Sequence, residues 1–396
     1  MWNVQSKAIL WKDREPQPPS AMTALRPPAA DAALILGGGL MGLAIAHQLA
    51  RRDHPVCVIS RRRGEAAGFV AAGMLAPHAE GLSGDQLRFG QLSLERVPSW
   101  VAQIEADSGL PCGLRSTGIV VPFTTSEQRD RYPTAGFGTA LNRQQLEREV
   151  PGIATTWQAG LLFEQDGQID NRRQLMRSLE SACVERGVQF LEGVEVLELL
   201  QSDNQRIEAR IRDAEGTITE RSSAIAVLCS GAWSSQLLPQ LPIFPVKGQM
   251  LSLQAPRGAL KRVIFGPGTY LVPREDGLVV VGATSEREAG FAEGLTPQGQ
   301  SILKQGIASL LPEASGWPPM ERWWGFRPCT PDEGPLLGEG PLPGLWLACG
   351  HHRNGVLMAA ATAEAIADCV SMGRARDDLD LLLPCFQWQR FDAGVS

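Results

Sequence analysis

Two glycine-rich turns, one near each end of the chain, carry residue types and spacing suited to holding phosphate: GGGLMG at Gly37–Gly42 and GHHRNG at Gly350–Gly355. In the first, Gly37 permits a tight turn, Gly39 lets a pyrophosphate approach the backbone, and Gly42 lets the following helix pack close to its strand. The helix N-terminus then turns its partial positive charge toward the diphosphate. That turn alone implies a dinucleotide. The second brings backbone N–H groups from the far end of the chain to the same ligand and sets Arg353 inside the turn. Such a layout suits a cofactor as long as FAD.

The elements around the first turn must form a βαβ unit if it is to bind. Leu34-Ile35-Leu36 reads as a short buried strand, Leu43–Arg52 as a helix with small residues toward the sheet, and Val56–Ile59 as the second parallel strand. A carboxylate usually meets the ribose hydroxyls at the end of that strand. Here the residue is Ser60, a weaker hydrogen-bonding partner, followed by Arg61, Arg62 and Arg63. The arginines leave open an NADP 2′-phosphate site. Against it, the next segment, AAGFVAAGMLAP at Ala66–Pro77, is small, apolar and glycine-containing, which suits close approach to a flat ring.

Further along, helices are expected over Leu87–Asp107 and over residues 168–187, where Leu175, Leu179 and Cys183 share a face. Strands are expected around Gly118–Phe123 and at Val188–Leu191, Val194–Leu200, Arg206–Arg212 and Ala224–Cys229, the last entering a third glycine turn at Gly231. Leu241–Gln254, Arg262–Phe265, Tyr270–Pro273 and Leu278–Gly282 read as sheet, with a helix near Ser301–Leu310. The alternation predicts an interrupted nucleotide domain around a β-rich second domain. The expected boundaries are 31–82, 155–238 and 325–385 for the first, and 83–154 with 239–324 for the second.

Composition narrows the class. A chain of 396 residues has room for two domains, and its net charge of −6 without a basic run argues against nucleic acid. The eight cysteines show no C-x-x-C and no metal-ligand spacing, and Cys57 and Cys229 sit in apolar runs. They read as buried free thiols, which fits a reducing cytoplasm and no metal site. No signal-peptide core or membrane span is expected. Met1–Ala30, with Pro16, Pro18, Pro19, Pro27 and Pro28, reads as a disordered extension, and Met22 is a second candidate start.

The segments GGGLMGLAIAHQLA, AAGMLAP, PVKGQML, GTYLVPR, VGAT, WWGFRPCTPDEGPLLG and GHHRNGVLMAAATA follow in this order across Ala32–Asp368. As an ordered set they resemble the D-amino-acid oxidase superfamily, and within it the branch that oxidises glycine for thiamine biosynthesis. The resemblance implies an α/β plus α+β fold: a Rossmann-like FAD-binding domain with an interleaved β-rich substrate domain. It also implies a homo-oligomer, dioxygen as electron acceptor, and a thiazole synthase as partner. Around the FAD it places Leu40 and Met41 at the diphosphate and Ser60-Arg61 at the ribose. Ala67-Gly68 and Ala72-Gly73-Met74 fall beside the flavin, Val196 at the adenine, and His351, His352, Arg353, Asn354, Gly355, Val356 and Leu357 at the flavin edge. Arg327 matches the arginine that clamps the substrate carboxylate, Arg353 a second pocket arginine, and Tyr270 a hydroxyl near that carboxylate. Gly325 stands where flavinylated relatives carry cysteine, so FAD is expected to be held non-covalently.

Physical chemistry gives independent weight to Arg327. A planar guanidinium binds a carboxylate at two points, and Trp323, Trp324, Phe326 and Pro328 give this one a rigid, partly buried setting. An interface ion pair is the alternative. Tyr270 equally suits a buried backbone carbonyl, and Met74 suits packing. His351 and His352 read as turn or flavin-edge residues rather than bases. An amino acid with a neutral amine passes its α-hydrogen as hydride to flavin, so little is asked of side chains beyond positioning. Gly268, Ser285 and His352 depart from the glycine-oxidising pattern and leave sarcosine or a small D-amino acid open as substrate. The rival classes are an NAD(P) dehydrogenase, a flavoprotein that reduces a quinone or carrier, and a non-catalytic flavin-binding subunit.

Overall fold

A computed structural model describes residues 32–392, so the expected N-terminal extension lies outside the described residues. The apolar runs ALIL and VCVI form adjacent parallel strands, Ala33–Leu36 and Val56–Ser60, joined by the helix Leu40–Ala50. These strands sit in a six-stranded sheet, in the order Leu336–Glu339, Leu345–Cys349, Ala226–Leu228, Ala33–Leu36, Val56–Ser60 and Gln189–Glu192. Only Leu336–Glu339 runs antiparallel to its neighbour. Leu34 stands opposite Ala226 on one side and Cys57 on the other, so chain-distant segments meet at the first turn.

Both faces of this sheet are covered, as buried parallel strands require. On one face Ile35, Val58 and Val227 pack under four helices: Leu40–Ala50, Gly84–Ser108, Met176–Glu185 and Gly355–Met372. On the other, Leu34, Cys57 and Leu228 pack against Leu199, Ala209 and Ile211 of a three-stranded antiparallel layer, Glu195–Gln201, Ile207–Arg212 and Ile218–Ser223. By length and composition Gly355–Met372 is long and apolar enough to cross a bilayer. It is instead a core helix, with Leu357, Ala359, Ala363 and Ile366 fully buried.

The second layer is an eight-stranded mixed sheet, in the order Pro319–Cys329, Phe244–Gln254, Leu278–Gly282, Thr269–Pro273, Val263–Gly266, Ile119–Phe123, Ala159–Phe163 and Thr139–Asn142. Its side chains alternate between two cores, as the period of two dictates. Leu251, Leu271 and Val281 face the helix Pro297–Leu310 through Leu303 and Ile307. Met250, Val272 and Val280 face Ala72, Ala76 and Ala79 from the glycine-rich segment after the first unit. That second interface is where the two layers meet.

Sheet membership corrects two expected boundaries. Helix Gly84–Ser108 packs with the nucleotide sheet through Phe89, Val97, Val101 and Ile104, not with the β-rich layer. Ala159–Phe163 belongs to the eight-stranded sheet, not to the nucleotide domain. The expected helix over 168–187 begins instead as a strand, Gly167–Ile169, passes through a π-turn, Asn171–Leu175, and becomes α-helical over Met176–Glu185. The strand pairs with Met74–Leu75 and Leu114–Arg115, and this tertiary pairing overrides the helical pattern.

Candidate active site

A cavity of about 590 Å³ runs between the two layers. One end reaches Ser60 and Val196, the middle passes Gly37, Gly39, Leu40, Met41 and Gly231, and the other end holds Tyr270, Arg327 and Arg353. Between them it is walled by Ala67, Gly68, Ala72, Gly73, Met74, His351, His352, Gly355 and Val356. A cavity lined both by the first glycine turn and by two guanidiniums suits a dinucleotide together with a small anion.

The local backbone fits that occupant. Gly37 has φ +124°, and a Cβ there would stand 2.5 Å from the Cys229 carbonyl oxygen. A Cβ on Gly42 would lie 1.8 Å from the Gly37 carbonyl oxygen, so this glycine sets the helix against its strand rather than lining the cavity. Helix Leu40–Ala50 has no side-chain cap and no acidic residue in its first turn, and the same holds for Gly355–Met372. Uncapped N–H groups at helix starts that open on one cavity are sites for anionic oxygen and for developing negative charge. At the far end, Val194 N–H donates to the Ser60 carbonyl at 3.1 Å, and the strand register shifts between Val196 and Glu198.

The arginines after Ser60 are already committed. Arg61 pairs with Glu195 at 3.2 Å, Arg62 with Glu65 at 2.8 Å, and Arg63 with Glu192 at 2.6 Å and Glu180 at 3.0 Å. A 2′-phosphate would have to displace carboxylates from all three, so the NADP alternative finds no support here.

At the other end, strand pairing places Arg327 opposite Val246, and its Nη1 donates to the Thr284 carbonyl at 3.1 Å. Among the described residues no carboxylate lies within 4.0 Å of its guanidinium, whereas Arg353 is shared between Glu80 at 3.7 Å and Glu333 at 3.8 Å. Arg327 is therefore the cation with unmet capacity for a carboxylate. The aromatic setting is real but indirect: Trp323 Nε1 donates to the Val70 carbonyl at 2.9 Å, while Phe326 packs edge-on to Trp324 and Trp233.

Tyr270 is half-buried; desolvation raises its phenol, and Arg327 beside it acts the opposite way. Its hydroxyl donates to the Met250 sulfur at 3.6 Å, and the Arg327 guanidinium hydrogen-bonds to the phenol. Burial alone lowers His351 to about 3, and burial with Arg327 and Arg353 lowers His352 to about 3. Both imidazoles are neutral at physiological pH. His351 bonds Thr362 at 3.0 Å and His352 N–H donates to the Pro328 carbonyl at 2.8 Å, so they shape the turn.

The model of the FAD dependent oxidoreductase family matches residues 32–369. The chain belongs to that family. FAD is accordingly its cofactor, and the fold is that of the family. The chain is 40% identical over 369 residues to the bifunctional protein ThiO/ThiG of Synechocystis, covering 90% of this chain but 54% of that one. It thus spans about half the length of such relatives. It is 31% identical to glycine oxidase of Geobacillus kaustophilus, covering 87% of this chain and 94% of that protein. The crystal structure of glycine oxidase from that organism superposes with a TM-score of 0.82 at 28% identity, over 90% of this chain and 98% of the other. That of L-proline dehydrogenase from P. horikoshii gives 0.80 at 20% identity over 93% and 99%, a likeness of fold alone.

In this oxidoreductase most expected site residues line one cavity, and Gly42 packs its helix against the strand as expected. Asn354 and Leu357 do not reach the cavity. Asn354 stands at the start of helix Gly355–Met372, and Leu357 is buried in the helical core with its carbonyl accepting from Ser93 at 2.6 Å. The periodicity of that helix turns Val356 toward the cavity and the next residue away. Sequence reasoning also missed Glu80, Glu333, Met250 and Val70, all of which line the cavity. Glu80 falls three residues beyond AAGMLAP, where only the polar break HAEG hints at a turn.

Proposed function

We propose that the chain is an FAD-dependent glycine oxidase that converts glycine and dioxygen to the imine, which hydrolyses to glyoxylate and ammonia, and hydrogen peroxide. The observation that carries this is the Arg327 guanidinium, which has no carboxylate partner among the described residues, in a cavity whose other features fit FAD. Arg327 holds the substrate carboxylate at two points and Tyr270 adds a hydroxyl bond, fixing Cα relative to the ring plane. Bound FAD supplies the hydride acceptor. Neighbouring Met250, Met74 and Phe265 exclude water, and the neutral His351–His352 turn with its uncapped helix start stabilises negative charge at the ring edge.

Sarcosine or a small D-amino acid is the second reading, since Gly268 and Ser285 both line the cavity and leave space. As partner we propose a thiazole synthase that receives the imine, on the support of relatives named ThiO/ThiG, in which two names share one chain. A reducing, cytoplasmic location completes the proposal, supported by the free cysteines among the described residues. Anaerobic addition of glycine, sarcosine and D-amino acids to the yellow protein tests the reading. Glycine should bleach the flavin band fastest, and a flavin that no amine bleaches would refute it.

A further inference from the structure

Glu80 stands in the cavity wall with a side chain only 5% exposed, and its Oε2 has no hydrogen-bond donor. The nearest cation, Arg353 Nε, is 3.7 Å from that oxygen, too far for a hydrogen bond, and Arg353 is itself 46% exposed and shared with Glu333. A buried carboxylate oxygen without a donor is costly, so its retention beside a substrate site calls for a donor that arrives with the ligand.

The turn that carries Glu80 is held from several sides. Its own N–H donates to the Ala76 carbonyl at 3.0 Å. Buried Asp166 accepts from Ala79 N–H at 2.8 Å and bonds His78 Nδ1 at 2.6 Å. Thr134 donates to the His78 carbonyl at 2.6 Å and Tyr132 to the Ala79 carbonyl at 2.7 Å. Gly81 completes the turn at φ +66°, with the Tyr132 hydroxyl where a Cβ would press. Glu80 is thus held in the same cavity wall as Arg353, Arg327 and Tyr270, close enough that both guanidiniums act on its carboxyl.

We propose that Glu80 receives the substrate's ammonium group and takes its proton, leaving the neutral amine from which hydride can depart. The step balances simply. One N–H bond breaks, its electron pair stays on nitrogen, an O–H bond forms on Glu80, and no oxidant is required. The inference rests on the amino acid reading above and adds the group that prepares the amine.

The surroundings bring donor and acceptor toward each other. Burial raises the Glu80 carboxyl to about 7; Arg353 and Arg327 oppose that, while Asp166 and Glu333 reinforce it. Tyr132 and Tyr270 also face it, and both phenols are raised by burial, so they stay neutral. His78 Nδ1 is hydrogen-bonded to Asp166 at 2.6 Å. The same burial and the same two guanidiniums lower a substrate ammonium from its value in water, which narrows the gap to be crossed.

Glu80→Gln and Glu80→Asp holoenzymes test this, with two readouts. The first is the pH profile of kcat/KM for glycine. The wild type should lose activity as pH falls through about 7, the Gln variant should be at least about a hundredfold slower without that acid limb, and Asp should restore part of both. The second is binding of acetate, a carboxylate with no amine, followed by its perturbation of the flavin spectrum. Acetate should bind Glu80→Gln as well as or better than wild type. An acid limb that persists in Glu80→Gln, or acetate binding that falls in step with glycine turnover, would overturn the proposal and leave Glu80 as a support for Arg353. If another amine bleaches the wild-type flavin in place of glycine, the same profiles are taken with that amine, so failure of the substrate assignment and failure of Glu80 are read separately.

Discussion

The Arg327 guanidinium lies across the bare backbone of Gly248: a Cβ on that glycine would come within 2.5 Å of Nη1 and 2.8 Å of Cζ. The neighbouring strand thus makes room for the cation, which donates to the Thr284 carbonyl at 3.1 Å. Gly248→Ala must push the guanidinium from its place while leaving its charge. The expected result is a rise in KM for glycine of roughly ten- to a hundredfold, with FAD content unchanged, measured by steady-state peroxide assay.

Gly42 tolerates no side chain. A Cβ at this position would fall 1.8 Å from the Gly37 carbonyl oxygen, a backbone atom that cannot yield without opening the phosphate turn. Gly42→Ala should yield protein that has lost most of its FAD, read as the ratio of flavin to protein absorbance. Near-normal flavin content would mean the turn adjusts.

FAD should be released whole by acid precipitation. A side chain at Gly325 would strike Val70, whose Cγ2 is 2.4 Å from its Cβ position, so this strand offers no room for an attachment residue. Of the cysteines that line the cavity, burial raises Cys349 to about 12 and Cys229 well above its ordinary value, which keeps both as unreactive thiols. Yellow colour remaining in the pellet would contradict this.

Asp107 ties the end of helix Gly84–Ser108 to the nucleotide domain through His47 at 2.8 Å, Arg51 at 2.6 Å and Arg186 at 2.5 Å. Burial pushes its carboxyl up, but the hydrogen bonds from Arg186, Arg51 and His47 outweigh burial and hold it well below the ordinary 3.8. A carboxyl lowered by folding stabilises above its unfolded value and loses that stabilisation as pH falls through the folded one. Asp107→Asn should therefore cost roughly 2 kcal/mol near pH 7, with the difference shrinking below about pH 4. Denaturant melts at both pH values check it.

Local signals carried much of the fold. The apolar strands beside Gly37 and Val56–Ser60, and the glycine spacing between them, are short-range features, and their geometry follows from sterics. The helix Gly84–Ser108 was equally legible as a helix, yet its amphipathic face does not say which sheet it will cover. Ala159–Phe163 failed for the same reason, since pairing with Ile119–Phe123 is a long-range choice. At the site, Arg327 could be found from its neighbours, whereas Glu80 could not. An acidic residue in a polar turn reads as solvated, and only the clamp built from Asp166, Tyr132 and Thr134 turns it inward.

The most direct test is the steady-state kinetics of Arg327→Ala with glycine. Removing the clamp costs roughly 2–5 kcal/mol, so kcat/KM should fall on the order of a hundredfold or more, chiefly through KM, while FAD stays bound. Arg327→Lys should recover only part, because an ammonium lacks the two-point geometry. Normal glycine oxidation by Arg327→Ala would contradict the placement of the carboxylate, and loss of FAD from it would make Arg327 a structural residue of the flavin site.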